Sequence, residues 1–153
     1  MMEVARPSLS PHERLTNVGL LVQRSVRGVA ELLVGSVWDD AFGPFVLVGS
    51  GGVFAELFDD VRLAPAPLAR GTAEALVGSL RIWPVLDGAR GQPRADVAAA
   101  VDAIVAIGRL AAALGPRLTE LEINPLIVRA EGGGAMAVDA RARLGDPQRE
   151  ASA

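Results

Sequence analysis

The densest chemistry in the chain lies in Thr119-Glu-Leu-Glu-Ile-Asn-Pro-Leu-Ile-Val128. Read as a strand, it puts Glu120, Glu122 and Asn124 on one face, because strand side chains alternate. Leu121, Ile123 and Ile127 fall on the other face and read as core. Suppose the six residues Arg129–Gly134 close a hairpin and Val128 pairs with Ala135. Asn124 then lies opposite Asp139, and opposed side chains have Cβ atoms about 5 Å apart. Two oxygen donors so placed suit a hard divalent cation. Mg2+ fits, because it takes one or two protein oxygens and completes its shell with water and phosphate. Glu122 is a third oxygen nearby. A slip of one residue would separate the pair, and an ordinary solvated strand face has the same polar pattern. Pro125 marks an edge or bulge in this strand.

The elements that must position these residues follow from apolar spacing. Gly19–Gln23, Ala30–Trp38 and Phe45–Val48 are short apolar runs and read as strands. Gly49-Ser50-Gly51-Gly52 reads as a turn before a fourth strand, Val53–Phe58. Thr72–Leu80 reads as a short helix with Thr72 as its N-cap. Arg81–Arg94 is rich in Gly and Pro and reads as loop. Asp96–Leu114 is the clearest helix, with Val97, Val101, Ile104, Gly108 and Ala111 on one face. Gly115-Pro116 stops it. Leu118–Val128 and Ala135–Ala140 form the closing hairpin. Strands, then helices, then a hairpin predict an α+β fold, an antiparallel sheet with helices on one face. Residues 1–16 read as a loose lead-in, 17–144 as the folded unit and 145–153 as a disordered tail.

Composition narrows the chemistry. The chain has 153 residues, is 50% hydrophobic and 22% charged, and carries a net charge of −3. That describes a globular chain. It has no Cys, and all fifteen basic residues are Arg. Thiol nucleophiles, Schiff-base lysines and Walker-type phosphate loops are therefore excluded. His12 alone cannot build a histidine-rich zinc site. A pI near 5.2 and 4% aromatic residues argue against a nucleic-acid partner. Val97–Leu114 is the most apolar stretch, but Asp102 and Arg109 interrupt it. The expectation is a cytoplasmic protein with no membrane association.

Several blocks carry a family resemblance. Glu122-Ile-Asn-Pro-Leu126 followed by Ala137-Val-Asp-Ala-Arg141 resembles the ATP-grasp domain of ADP-forming (NDP-forming) acyl-CoA synthetases, relatives of the succinyl-CoA synthetase β subunit. Leu21-Val-Gln23 with Ala30–Gly35, Phe42-Gly-Pro44, Gly49–Glu56 and Gly88–Asp96 are similar to further blocks in the same order. The resemblance implies the second, C-terminal lobe of an ATP-grasp fold. It also implies the cofactors Mg2+ and ATP or ADP. The hinge backbone, Gln23-Arg24-Ser25, would meet the adenine edge, and Glu31 the ribose hydroxyls. Gly51 and Gly52 would bring backbone N–H groups near phosphate, although a tight turn needs glycine equally. Asn124 and Asp139 would bind Mg2+, with Glu122 as a further ligand. No residue of the chain is assigned as catalytic.

The sequence departs from the family pattern at Arg24, where the family often has Glu, and at Val37, Trp38 and Ala64, where it usually has basic residues, so phosphate-handling charge is weakened. Arg62 shares the strand face of Ala64. The expected partners are the remaining parts of the synthetase, namely the first ATP-grasp lobe and the CoA-binding and ligase domains. Phosphate-gripping lysines of the family belong to that first lobe. The expected role is thus one lobe of an acid–thiol ligase, inactive alone. The alternatives are the regulatory synthetase-like lobe of a protein acetyltransferase and a non-catalytic binding module.

Overall fold

The computed structural model describes residues 22, 25–52 and 60–145. Strands β1 (Ala30–Asp39), β2 (Gly43–Ser50) and β3 (Val61–Pro65) come first. Helices α1 (Arg70–Gly78), α2 (Trp83–Leu86) and α3 (Val97–Leu114) follow. Strands β4 (Leu118–Val128), β5 (Ala135–Ala137) and β6 (Ala140–Leu144) close the chain. The strands form one sheet in the order β3-β2-β1-β4, with β5 and β6 both on the far edge of β4. Every pairing is antiparallel. The α+β architecture read from the sequence is the one observed.

Alternation decides which face the helices cover. Leu32, Val34 and Ser36 of β1 and Val46, Val48 and Ser50 of β2 are buried on the helix side. Leu126 and Val128 of β4 join them in the core. Helix α3 answers with Ala100, Val101, Ile104, Ile107, Gly108 and Ala111. Each buried Leu, Ile or Val contributes about 1.5–3 kcal/mol, so this layer supplies most of the stability. Gly108 lets α3 approach the sheet and the segment before α1 closely: a Cβ there would stand 3.2 Å from Val46 Cγ2 and 2.4 Å from Leu68 Cδ2. By length and hydropathy Val97–Arg117 could cross a membrane, but its apolar face is the one packed on the sheet.

Local signals held at α3 and failed at α1. The Asp96 carboxylate accepts from Ala99 N at 3.1 Å and caps the helix, which begins one residue later than read. Gly115, at φ +55°, ends the helix. Helix α1 starts earlier than expected: its N-cap is Ala69, and Thr72 lies inside its first turn. Within the expected loop 81–94, Trp83–Leu86 form a single helical turn that buries Leu86.

The glycine-rich turn also differs. Gly49 and Ser50 belong to β2, whose pairing with β1 runs to Leu32↔Ser50. Strand β3, which apolar spacing does not mark, carries Arg62 and Ala64 on one face as the family resemblance implied and pairs with β2 from Phe45↔Pro65 to Gly49↔Val61. The buried Asp60 carboxylate secures this corner. It accepts from Arg81 N at 2.6 Å and from Ser50 Oγ at 3.2 Å. Arg62 Nη2 lies 3.2 Å from its other oxygen, an ionic contact rather than an aligned hydrogen bond. Arg62 also donates to Ser79 O, so its charge is spent on the helix side of the sheet. The expected elements Gly19–Gln23 and Val53–Phe58, the lead-in 1–16 and residues 146–153 lie outside the described residues.

Candidate functional site

The site forms on the uncovered face of the sheet, where β4 is irregular. Leu32 pairs with Leu126, yet Val34 pairs with Ile123, so β4 carries one residue more than β1 across this step. The extra residue falls at Asn124–Pro125, the bulge that Pro125 predicts. A bulge changes the facing of everything beyond it. Leu121 and Ile123 face the core before it; Leu126 and Val128 do so after it. Ile127, expected with Leu121 and Ile123, instead lies on the opposite face, paired with Glu31 and Met136.

The hairpin register matches the one inferred from loop symmetry. Val128 pairs with Ala135 and Leu126 with Ala137. The same register continues through Ile123↔Ala140 and Glu122↔Arg141. The returning strand is two strands, β5 and β6, parted at Val138–Asp139. Across that gap Asn124 N donates to Asp139 O at 3.2 Å. Asn124 and Asp139 therefore stand opposite each other. With Glu122, Ala140 and Arg141 they line one shallow concavity.

A second set of contacts reaches this concavity from β1 and β2. Gly52 N donates to Asn124 Oδ1 at 3.2 Å. Gly51 N donates to Glu31 O at 2.9 Å. A Cβ on Gly52, which sits at φ +62°, would stand 1.8 Å from Glu31 Oε2. A Cβ on Gly51 would stand 2.5 Å from the Leu32 carbonyl carbon. The glycines are needed because backbone must pass here with no side chain. Both N–H groups donate within the protein, and they bring Glu31 and Asn124 together. Ser25 lies exposed in the segment before β1. Gln23 and Arg24 are outside the described residues.

The donor set fits a magnesium ion. Among the described residues no three His, Cys, Asp or Glu side chains cluster. The concavity offers two carboxylates, Glu122 and Asp139, and the Asn124 amide oxygen, which keeps one lone pair beyond its bond to Gly52. Few carboxylates plus substrate oxygens is the preference of Mg2+. The hairpin carrying the donors is tied to α3 through Asp96, whose second oxygen accepts from Gly134 N at 2.9 Å. The bonds from Gly134 and then Ala99 hold the Asp96 carboxyl below its ordinary pKa.

An antiparallel sheet covered by helices on one face, with oxygen donors gathered on the other, is the arrangement of an ATP-grasp lobe. The ATP-grasp domain family matches residues 3–144, and the chain belongs to that family. Within it, the chain resembles ADP-forming CoA ligases. It is 37% identical over 123 residues to the beta subunit of acetate–CoA ligase (ADP-forming) I of Pyrococcus furiosus, covering 80% of this chain and 52% of that subunit. Against the acetate–CoA ligase (ADP-forming) of Methanocaldococcus jannaschii, identity is 36% over 124 residues, covering 80% of this chain and 18% of that one. The chain thus spans about half the length of the Pyrococcus subunit. Among solved structures it is similar to acetyl-coenzyme A synthetase 1 of Ca. Korarchaeum cryptofilum, held with coenzyme A and Mg-AMPPCP. That match has a TM-score of 0.72 and 36% identity, and covers 79% of this chain and 55% of that chain.

Two residues of the site region had no role in the sequence reading. Asp60, beside Ser50, braces the corner that leads to Gly51–Gly52, and nothing in the sequence marks it as buried. Arg141 was legible: it lies two residues after Asp139, so alternation places it across from Glu122, two residues before Asn124.

Proposed function

We propose that this chain supplies the Mg2+- and nucleotide-binding lobe of an ADP-forming acyl-CoA synthetase. The reaction would be acyl-CoA + ADP + phosphate ⇌ acid + CoA + ATP. The observation that carries the reading is the convergence of Glu122, Asn124 and Asp139 on one concavity, joined through Gly52 to Glu31. In this reading Glu122, Asn124 and Asp139 hold the magnesium ion, which offsets phosphate charge when bound. Glu31 accepts hydrogen bonds from ribose hydroxyls. The backbone at Gln23-Arg24-Ser25 meets the adenine edge, which needs one donor and one acceptor at fixed places. Further phosphate contacts and the acyl and CoA sites would belong to the parts of the synthetase that its longer relatives carry outside the matched stretch.

Calorimetric titration with Mg-ATP tests this. The chain alone is expected to bind more weakly than micromolar. A polypeptide spanning the unmatched half of the Pyrococcus subunit is expected to tighten binding and make it Mg2+-dependent. Submicromolar binding by the chain alone would overturn the incomplete-lobe reading. No binding with that polypeptide present would overturn the nucleotide reading. A non-catalytic binding module is the second reading, favoured by Val37, which is apolar and 36% exposed where the family carries a basic residue. It predicts binding without Mg2+ dependence, or none.

A further inference from the structure

The opposed pairs on β4 and β6 are chemically alike and behave differently. Glu120 faces Arg143, and Glu122 faces Arg141. Arg143 Nη1 lies 3.6 Å from Glu120 Oε2, so that pair is joined. Arg141 makes no ion pair with Glu122 or with any other described carboxylate, and both side chains line the concavity with Asn124 and Asp139. Pairing would have gained little at this exposed edge. What matters is where the free guanidinium stands: beside the oxygen donors, on the sheet's uncovered face.

The charge balance defines its partner. Two carboxylates and one guanidinium leave the concavity net negative, and an anion alone is repelled. A dication on the carboxylates reverses the sign and leaves the guanidinium facing the same space. Such a site takes a dication together with a polyphosphate. The planar fork of arginine suits phosphate oxygens, which it binds through two parallel N–H bonds.

We propose that Arg141 is the phosphate-reading residue of this lobe, binding phosphoryl oxygens of a magnesium-bound nucleoside di- or triphosphate and setting the site's preference for the charged end of the nucleotide. This rests on the nucleotide reading above and adds a residue to it. An NMR titration of the isotope-labelled chain, which follows weak binding, tests both. Arg141→Gln is expected to weaken Mg-ADP and Mg-ATP about tenfold or more, the scale of charge-assisted hydrogen bonds to phosphate. Adenosine affinity stays unchanged, and Arg141→Lys recovers part of the loss. Arg143→Gln on the same strand leaves all three ligands unaffected, and amide spectra of every variant confirm the fold. If wild-type chain binds Mg-ADP and Arg141→Gln binds it equally well, or loses adenosine in the same proportion, the role of Arg141 is overturned and the nucleotide reading stands. If the wild-type chain binds no Mg-ADP at millimolar concentration even with the polypeptide spanning the unmatched half of the Pyrococcus subunit added, both are overturned.

Discussion

The two faces of the sheet use the same strands and spend their polar atoms in opposite ways. On the covered face the charged group is consumed by structure. Asp60 is buried between Ser50, Arg62 and Arg81 N, and the hydrophobic layer around it is Leu, Val, Ile and Ala. On the open face Glu122, Asp139 and Arg141 stand side by side with no ion pair among them, around an Asn124 with one lone pair to spare. A buried unpaired charge costs several kcal/mol, so undischarged groups are tolerated only where solvent or a ligand reaches them. Stability lives on one face and, in the proposed function, binding on the other.

Substitutions should separate the faces. The largest effect is expected at Ile104, which is fully buried. Ile104→Ala should cost about 2–5 kcal/mol by lost burial and the cavity left behind, read as a lower urea midpoint at unchanged slope. Asp60→Ala comes next, at about 3 kcal/mol, because Ser50 Oγ and Arg81 N lose their acceptor and Arg62 its counter-charge. A urea midpoint within error of wild type would show that the corner is not braced by Asp60. The double variant Asn124→Ala/Asp139→Ala should reverse the pattern. Stability changes by less than about 1 kcal/mol, since the one side-chain bond lost is half-exposed, while the Mg2+ dependence of nucleotide binding disappears. Retained Mg2+ dependence would sink the metal assignment.

The smallest effect joins the faces. Asp96 ties the N-terminus of α3 to the hairpin turn at Gly134. Its folded pKa lies below the ordinary value of 3.8. The contribution is therefore complete above that unfolded value and is lost as pH falls through the folded one. Asp96→Asn should lower the thermal midpoint at neutral pH and narrow its gap to wild type in acid. A gap constant from neutral pH down to acid would refute the linkage.

Period-two and period-3.6 patterns were enough for β1 and α3, because each has one face committed to the core. Residues 61–65 gave no such signal: Val61 and Leu63 are both well exposed, and the inward positions are Arg62 and Ala64. Thr72 misled because α1 begins at Arg70, which pairs with Glu74 one turn on and with Asp102 of α3. The site was legible to the extent that an unbroken hairpin register carries a sequence offset into space, which set Asn124 opposite Asp139 with Glu122 nearby; the same register holds Arg141, which was not singled out. The facing of Ile127 was not, because it depends on one extra residue in β4 that only the pairing with β1 reveals.

The amino-acid sequence by itself determined the layer that would be buried, the family, and the oxygen donors of the hairpin, since alternation and turn length are local properties. Tertiary structure alone decided that Gly51 and Gly52 give their N–H groups to Glu31 and Asn124, that Asp60 is buried, and that Arg141 stands free beside a facing glutamate. Each depends on how close a distant strand or loop comes. A hydrogen bond is made or missed within a few tenths of an ångström, a distance that no residue pattern along the chain encodes.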